Sequence, residues 1–453
     1  MKTRKKLKIL LLLILSACIF ISCESNDIKP DKKSVRPPDF GRNSGIEYYF
    51  PDSGGVSTQM IIKGINLGTD TSLLKVTVNE KKAPIIGVDN DVIYAIVPVR
   101  ADTGLVKLYV GEENKAKEFT FENIFKYIYT RNVTTYTGKD IVSERVDGSL
   151  ADARTRRPWF ITSDNDDALF FLEEGRGDNK DGALRRIQNG QVETLYENNS
   201  GPFRSPVGLA FNPAQDTLYI AHWSRNSNPS GQRTNSAVMY CTRDGGFVNM
   251  KTLVEFEVAE TTSVAVHPVN GDVYFNSQAD GYIYKYTGGG KDKYAYERIF
   301  RINNAANTEL RMIFSPDGNT LYYVVRNRHC IYKSTYDSQT RTLSTPELWV
   351  GAWDEADYVN GVAGVARFNN PGAPVIDFEG IMYIPDKNTH VIRKITPEGE
   401  VSLHAGMPND GGYKDGGPDF ARFRQPEAVT LLSDGAIYLA DRDTHTIRRV
   451  VVE

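Results

Sequence analysis

The sequence predicts an all-β protein in two parts, a small two-sheet sandwich followed by a six-bladed β-propeller. Three observations carry that expectation. Between Tyr358 and Val450 one unit is written almost twice, its central tyrosines Tyr383 and Tyr438 standing 55 residues apart. Upstream, an aromatic flanked by apolar residues recurs at comparable intervals, as Phe170, Tyr219, Tyr274 and Tyr322. Ahead of these lies a stretch of short β-branched runs separated by turn residues. Repeats of this length are the signature of propeller blades, and strands that alternate rapidly with turns are that of a sandwich.

Taken in order, the chain begins with five basic residues between Met1 and Lys8, an apolar run from Ile9 to Ile21, and Ser22-Cys23. The pattern predicts a signal peptide over 1–22, too short for a spanning helix. Phe20-Ile21-Ser22-Cys23 resembles a bacterial lipobox, with Phe20 where Leu is usual, and the resemblance implies lipidation at Cys23. Residues 23–36 are polar and read as a flexible tether. Glu24 and Asp27 resemble a weak form of the acidic export signal of Bacteroidetes surface lipoproteins, which implies the outer membrane, facing outward, as the location. Removing 1–22 leaves 49 basic against 57 acidic residues, a balance that argues against a nucleic-acid partner. Cys241 and Cys330 fall in different repeats and are expected to be unpaired.

Residues 37–129 carry the sandwich. Ser53-Gly54-Gly55, Ile62-Lys63-Gly64-Ile65-Asn66-Leu67-Gly68 and Val97-Pro98 resemble the markers of an immunoglobulin-like IPT/TIG domain, which in bacterial surface proteins implies a rigid spacer. Residues 130–453 carry the propeller. Ala366-Arg367-Phe368-Asn369-Asn370-Pro371 is echoed by Ala421-Arg422-Phe423-Arg424-Gln425-Pro426. Asp386 to Lys394 is echoed in turn by Asp441 to Arg449. These copies resemble NHL repeats, with Thr389 and Thr444 replacing the consensus Asn before His. Closure is legible too. Val133 to Gly138 parallels Val401 to Gly406, and Asp147-Gly148 with Ala153-Arg154 parallels Asp415-Gly416 with Ala421-Arg422. Residues near 133–137 should therefore supply the outer strand of the last blade.

Loops joining second to third strands, and successive blades, should share one face and bind there. Trp223, Trp353, Tyr358 and Tyr413, with Arg326 nearby, are the candidate ligand contacts, because aromatic faces stack on sugar rings while charged groups bond hydroxyls. Trp159 and Trp349 are expected to pack. Asp164-Asn165-Asp166-Asp167 lacks the spacing of a calcium loop. His329, His390 and His445 hold the N-H position of the repeat, where blade-to-blade hydrogen bonding is the expected role rather than a metal site. No cofactor, metal or catalytic residue is expected. The whole pattern resembles Bacteroidetes lipoproteins with an IPT/TIG domain and an NHL propeller that accompany SusC/SusD-type importers. That resemblance implies non-catalytic capture of a glycan or peptide nutrient, docking on the importer, or both. The alternative is a propeller lyase or hydrolase, metal-dependent or not, acting on the same polymers.

Overall fold

Two sheets face each other at the N-terminal end of the computed structural model, which describes residues 35–452 apart from 90, 100, 113, 130, 175–181, 198–204, 224–235, 256–259 and 289–294. The signal sequence, Cys23 and nearly all of the tether lie outside the described residues. One sheet joins Gly45–Phe50, Gln59–Ile65, Val92–Ile96 and Ile85–Asp89 in that order. The other joins Ser53–Gly54, Lys117–Tyr127, Gly104–Val110, Leu74–Val78 and Lys81–Ala83. Alternation along the strands sends Met60, Ile62, Val76, Val106, Leu108 and Phe125 into one shared core. Gly68 is required by a close approach: it takes a φ of 71°, and a Cβ there would lie 2.5 Å from the carbonyl oxygen of Arg36.

Among the described residues, six antiparallel sheets follow one another along the rest of the chain. Their innermost strands are Pro158–Ser163, Pro206–Phe211, Val264–Val266, Leu310–Phe314, Val375–Ile376 and Pro426–Leu431. All six line one central channel of about 200 Å³, so the sheets stand round an axis as propeller blades do. The second strands are buried on both faces, as Leu169–Glu173, Met382–Asp386 and Ile437–Asp441 show. The ring is latched by the strand Arg131–Gly138, which pairs antiparallel with the last strand, Thr446–Val452. Cys241 and Cys330 are buried free thiols, and burial pushes both up to about 12.

The hairpins joining first to second strands in the fourth, fifth and sixth sheets lie beside the sandwich. Lys81 forms an ion pair with Glu379 at 2.9 Å. Beside it a crevice of about 360 Å³ runs between Val99 of the sandwich and Pro316, Phe378 and Leu432 of the ring. The loops that join second to third strands therefore open on the far side, away from the sandwich.

Candidate functional site

The fourth residue after each central aromatic sits at the channel mouth on that far side. These residues are Glu174, Trp223, Gln278, Arg326, Lys387 and Arg442, one from each sheet. Five of them are held through their backbone N–H groups, which donate to carbonyls of the preceding segment: Glu174 to Arg157, Trp223 to Ser205, Gln278 to Glu260, Arg326 to Glu309 and Lys387 to Asn370. In the sixth sheet the neighbouring Asp443 donates to Arg424 instead.

Trp159 lines the mouth beside them. Arg326, Lys387 and Arg442 stand 5.7, 5.4 and 5.0 Å from its ring centre, each within cation–π range. Between Trp159 and Trp223 opens a cavity of about 260 Å³, lined also by Glu174, Thr262, Gln278, Glu309 and Arg311. Its charges are organised in pairs. Arg326 reaches Glu309 at 2.6 Å and the buried Glu427 at 2.7 Å, and Lys387 meets Glu427 at 2.6 Å. Arg442 and Arg157 hold Glu174 at 2.8 and 3.1 Å. Burial opposes the charge of Glu309, yet Arg326, Arg311 and Lys387 keep its carboxyl below the ordinary glutamate value. Two indoles beside fixed acceptors and donors form a surface that can stack a ring and bond its hydroxyls.

The sequence-predicted residues divide. Trp223 lines this cavity and is 37 % exposed. Arg326 is buried beneath it, clamped between two carboxylates. Trp353, Tyr358 and Tyr413 are not brought to it. Trp353 packs edge-on against Tyr332, with Arg328 over its ring. Tyr358 covers Arg393, and Tyr413 covers Arg448 while its hydroxyl bonds Thr135 at 2.7 Å. Both tyrosines are lids on buried arginines of their own sheets. Trp349 packs on Tyr322, as expected of a residue in a strand. Trp159, read from sequence as a packing residue, both packs and lines the cavity.

The histidines are joints between sheets. The Nδ1 atoms of His329, His390 and His445 accept the backbone N–H groups of Asn370, Gln425 and Arg157 at 3.0, 3.2 and 3.0 Å. Thr389 and Thr444 bond back to the carbonyls of Asp386 and Asp441, which accounts for threonine where the repeat usually has asparagine. Asp164 staples its hairpin by accepting from the backbone of Asp166 and Ala168 and from Arg243. Among the described residues no group of His, Cys, Asp or Glu is placed to hold a metal ion.

No family model matches the chain. A Bacteroides thetaiotaomicron structure named as an auxiliary nutrient binding protein is 27% identical, with a TM-score of 0.63, and covers 91% of this chain and 99% of its own. A protein of the same name from Bacteroides ovatus is 24% identical, with a TM-score of 0.64, covering 92% of this chain and 100% of its own. A further B. thetaiotaomicron structure, 25% identical with a TM-score of 0.64, covers 92% of this chain and 99% of its own and carries a provisional phosphatase name. The curated relatives match only in part. Suppressor of Quenching 1 of Arabidopsis thaliana is 21% identical over 276 residues, 55% of this chain. The chain spans only a quarter of that protein's length. The all-β fold is thus shared, over about nine-tenths of the chain, with Bacteroides proteins named for nutrient binding.

Of the mouth ring, Trp223 and Arg326 were singled out from the sequence; Glu174, Gln278, Lys387 and Arg442 were not, although their signal was present. Counting four residues onward from each central aromatic gives all six positions. Two obstacles hid them. Their residue types differ from sheet to sheet, and the inward turn of that position depends on backbone geometry that a linear repeat does not display.

Proposed function

We propose that this protein captures a nutrient at the channel mouth and acts as a non-catalytic accessory of uptake. The observation that carries the reading is the cavity between Trp159 and Trp223, which opens on the face of the ring turned away from the sandwich. The end-to-end likeness to two Bacteroides proteins named for auxiliary nutrient binding supports it. In this reading the sandwich is an IPT/TIG spacer and the ring an NHL-type six-bladed propeller. Cys23 carries a lipid anchor at the outer surface of the outer membrane, and a SusC/SusD-type importer receives the ligand. The ligand is a glycan or a peptide.

The test is calorimetry on the soluble chain, residues 24–453, against glycan and peptide panels, with product and phosphate release followed in the same samples. Removing a stacking aromatic from the centre of a site typically costs more than about 1 kcal/mol. Trp223→Ala should therefore weaken binding by about fivefold or more, while Trp353→Ala leaves it unchanged. Turnover of any panel member would overturn the non-catalytic reading.

A further inference from the structure

The two sheets of the sandwich turn unlike faces outward. On the second sheet Lys75, Tyr109 and Glu118 form one row, and Lys107 and Thr120 belong to the next. Lys107 pairs with Glu80 at 2.7 Å and with Glu118 at 3.3 Å. That is the polar outer face usual for a sheet with one side in water. On the first sheet the outward rows are apolar. Phe50, Ile61 and Tyr94 lie in register across three strands, and 65, 38 and 40 % of their surface is exposed. Tyr48 and Val92 flank Lys63 in the next row, and the exposed Ile65 continues the central strand. Met60 and Ile62 point the other way, into the core, so this sheet is apolar on both sides.

The size of the face narrows what covers it. Four strands ~4.8 Å apart, each giving six residues of ~3.4 Å, offer roughly 400 Å². An exposed apolar patch of that extent marks a contact site. It is also about half of the ~800 Å² per partner that a stable protein interface buries. Neither a second copy nor a freely diffusing protein is therefore held by it alone. An occupant already kept beside the face needs far less area.

The chain itself keeps one there. It enters the sandwich beside Ile65. The Arg36 N–H donates to the Thr69 hydroxyl at 2.8 Å, the Thr69 N–H donates to the Arg36 carbonyl at 2.6 Å, and the Asn66 side chain bonds the backbone of Asp39. Val35 stands twelve residues after Cys23, a length of chain that spans at most ~43 Å when fully extended. A lipid on Cys23 thus keeps a bilayer within reach of this face. Tyrosine and lysine suit that boundary, because each buries an apolar body and leaves a polar tip among the headgroups.

We infer that the outward face of the first sheet, Tyr48, Phe50, Ile61, Ile65 and Tyr94 round Lys63, rests on the lipid surface to which Cys23 anchors the chain. The inference rests on the lipid anchor proposed above and deepens it: the spacer is seated on the bilayer by one sheet as well as tied to it.

Residues 23–453 carry one accessible thiol, Cys23, since Cys241 and Cys330 are buried. Coupling that thiol to a maleimide lipid in phosphatidylcholine vesicles rebuilds the anchor. Brominated acyl chains should quench the fluorescence of a coupled Tyr94→Trp variant by at least half beyond any loss seen in coupled wild type. Adding Phe50→Ser and Ile61→Ser, both on the exposed face, should abolish that extra quenching while circular dichroism stays unchanged. Quenching no greater than in wild type overturns the lipid contact. So does a dimer of the uncoupled chain in sedimentation equilibrium that the two serine changes disperse, which would make a second copy the occupant. Fatty-acid labelling of the full chain in cells tests the anchor separately. Label that disappears with Cys23→Ser upholds it, even where the Tyr94→Trp variant is not quenched. Absence of label overturns the anchor and the seating together.

Discussion

Arg448 has no solvent-exposed surface, yet each of its terminal nitrogens is spoken for. One donates to Asp441 at 3.1 Å and to the carbonyl of Arg422, and the other to the carbonyl of Lys414 and to Asp415. Arg393 repeats the arrangement with Asp386, Arg367, Val359 and Asn360, and Arg185 with Glu173, Arg154, Val146 and Asp147. In each case a third-strand arginine pins the long loop that leads into its own sheet. Burial nonetheless pushes the Asp441 carboxyl up to about 7 against the pull of its arginine. Removing one partner of such a pair costs ~3–5 kcal/mol, more than the pair itself contributes, because a buried charge is left alone. Arg448→Met should lower the thermal midpoint by that equivalent, and Asp441→Asn added to it should restore part of the loss. No recovery in the double variant would show that the loop contacts, rather than the stranded carboxylate, set the cost. The arginines were legible as letters of the repeat, but their cages were not. Tyr358 and Tyr413 looked like free aromatics on a binding face because the sequence does not say that each loop folds back over its own sheet.

Neighbouring sheets are joined by a small element that recurs: a single 3-10 turn closed by a histidine in the left-handed region. Lys387–Thr389 ends on His390 with a φ of 62°, and Arg442–Thr444 on His445 with a φ of 59°. A glycine follows where the outer strand ends. Gly406 takes a φ of 103°, and a Cβ there would come within 2.9 Å of the His390 carbonyl oxygen. The histidine's part in this joint was legible in the sequence as a blade-to-blade hydrogen bond; the 3-10 turn and the glycine's close approach were not, because both depend on backbone geometry. Burial pulls the His390 imidazole below the ordinary histidine range, and its Nδ1 must be unprotonated to accept from Gln425. A depressed value means that the joint's contribution is present above the unfolded value of about 6.5 and is lost as pH falls through the folded one. His390→Asn keeps a side chain that tolerates positive φ and does not titrate. Between pH 7 and pH 5 the thermal midpoint of wild type should therefore fall further than that of His390→Asn. Parallel curves would show that this joint does not titrate.

Over the whole molecule, the six sheets differ in what they offer the centre. The fourth, fifth and sixth place Arg326, Lys387 and Arg442 at the mouth, while the first three place Glu174, Trp223 and Gln278. One half of the ring therefore supplies three cations and the other a carboxylate, an indole and an amide. Closure depends on Arg131–Gly138, a strand that lies in sequence between the sandwich and the first sheet but belongs to the last. It is held twice: by its ladder with Thr446–Val452, and by Thr135, which bonds Asp415 and Tyr413. Among the described residues the sandwich has no such hold. Its ion pair between Lys81 and Glu379 is more than a third exposed on both sides, and pairs of that kind contribute between ~0 and 1 kcal/mol. A chain beginning at residue 130 should therefore fold, melt in one transition and keep the affinity of the full protein for its ligand. A chain beginning at residue 140 lacks the latch and leaves the edge of Thr446–Val452 unpaired, so it should aggregate or melt well below the first. Size-exclusion chromatography and calorimetry on the two chains separate these outcomes. Equal behaviour of both would mean that the ring holds without its latch, and loss of binding in the longer chain would mean that the sandwich shapes the mouth from the opposite face.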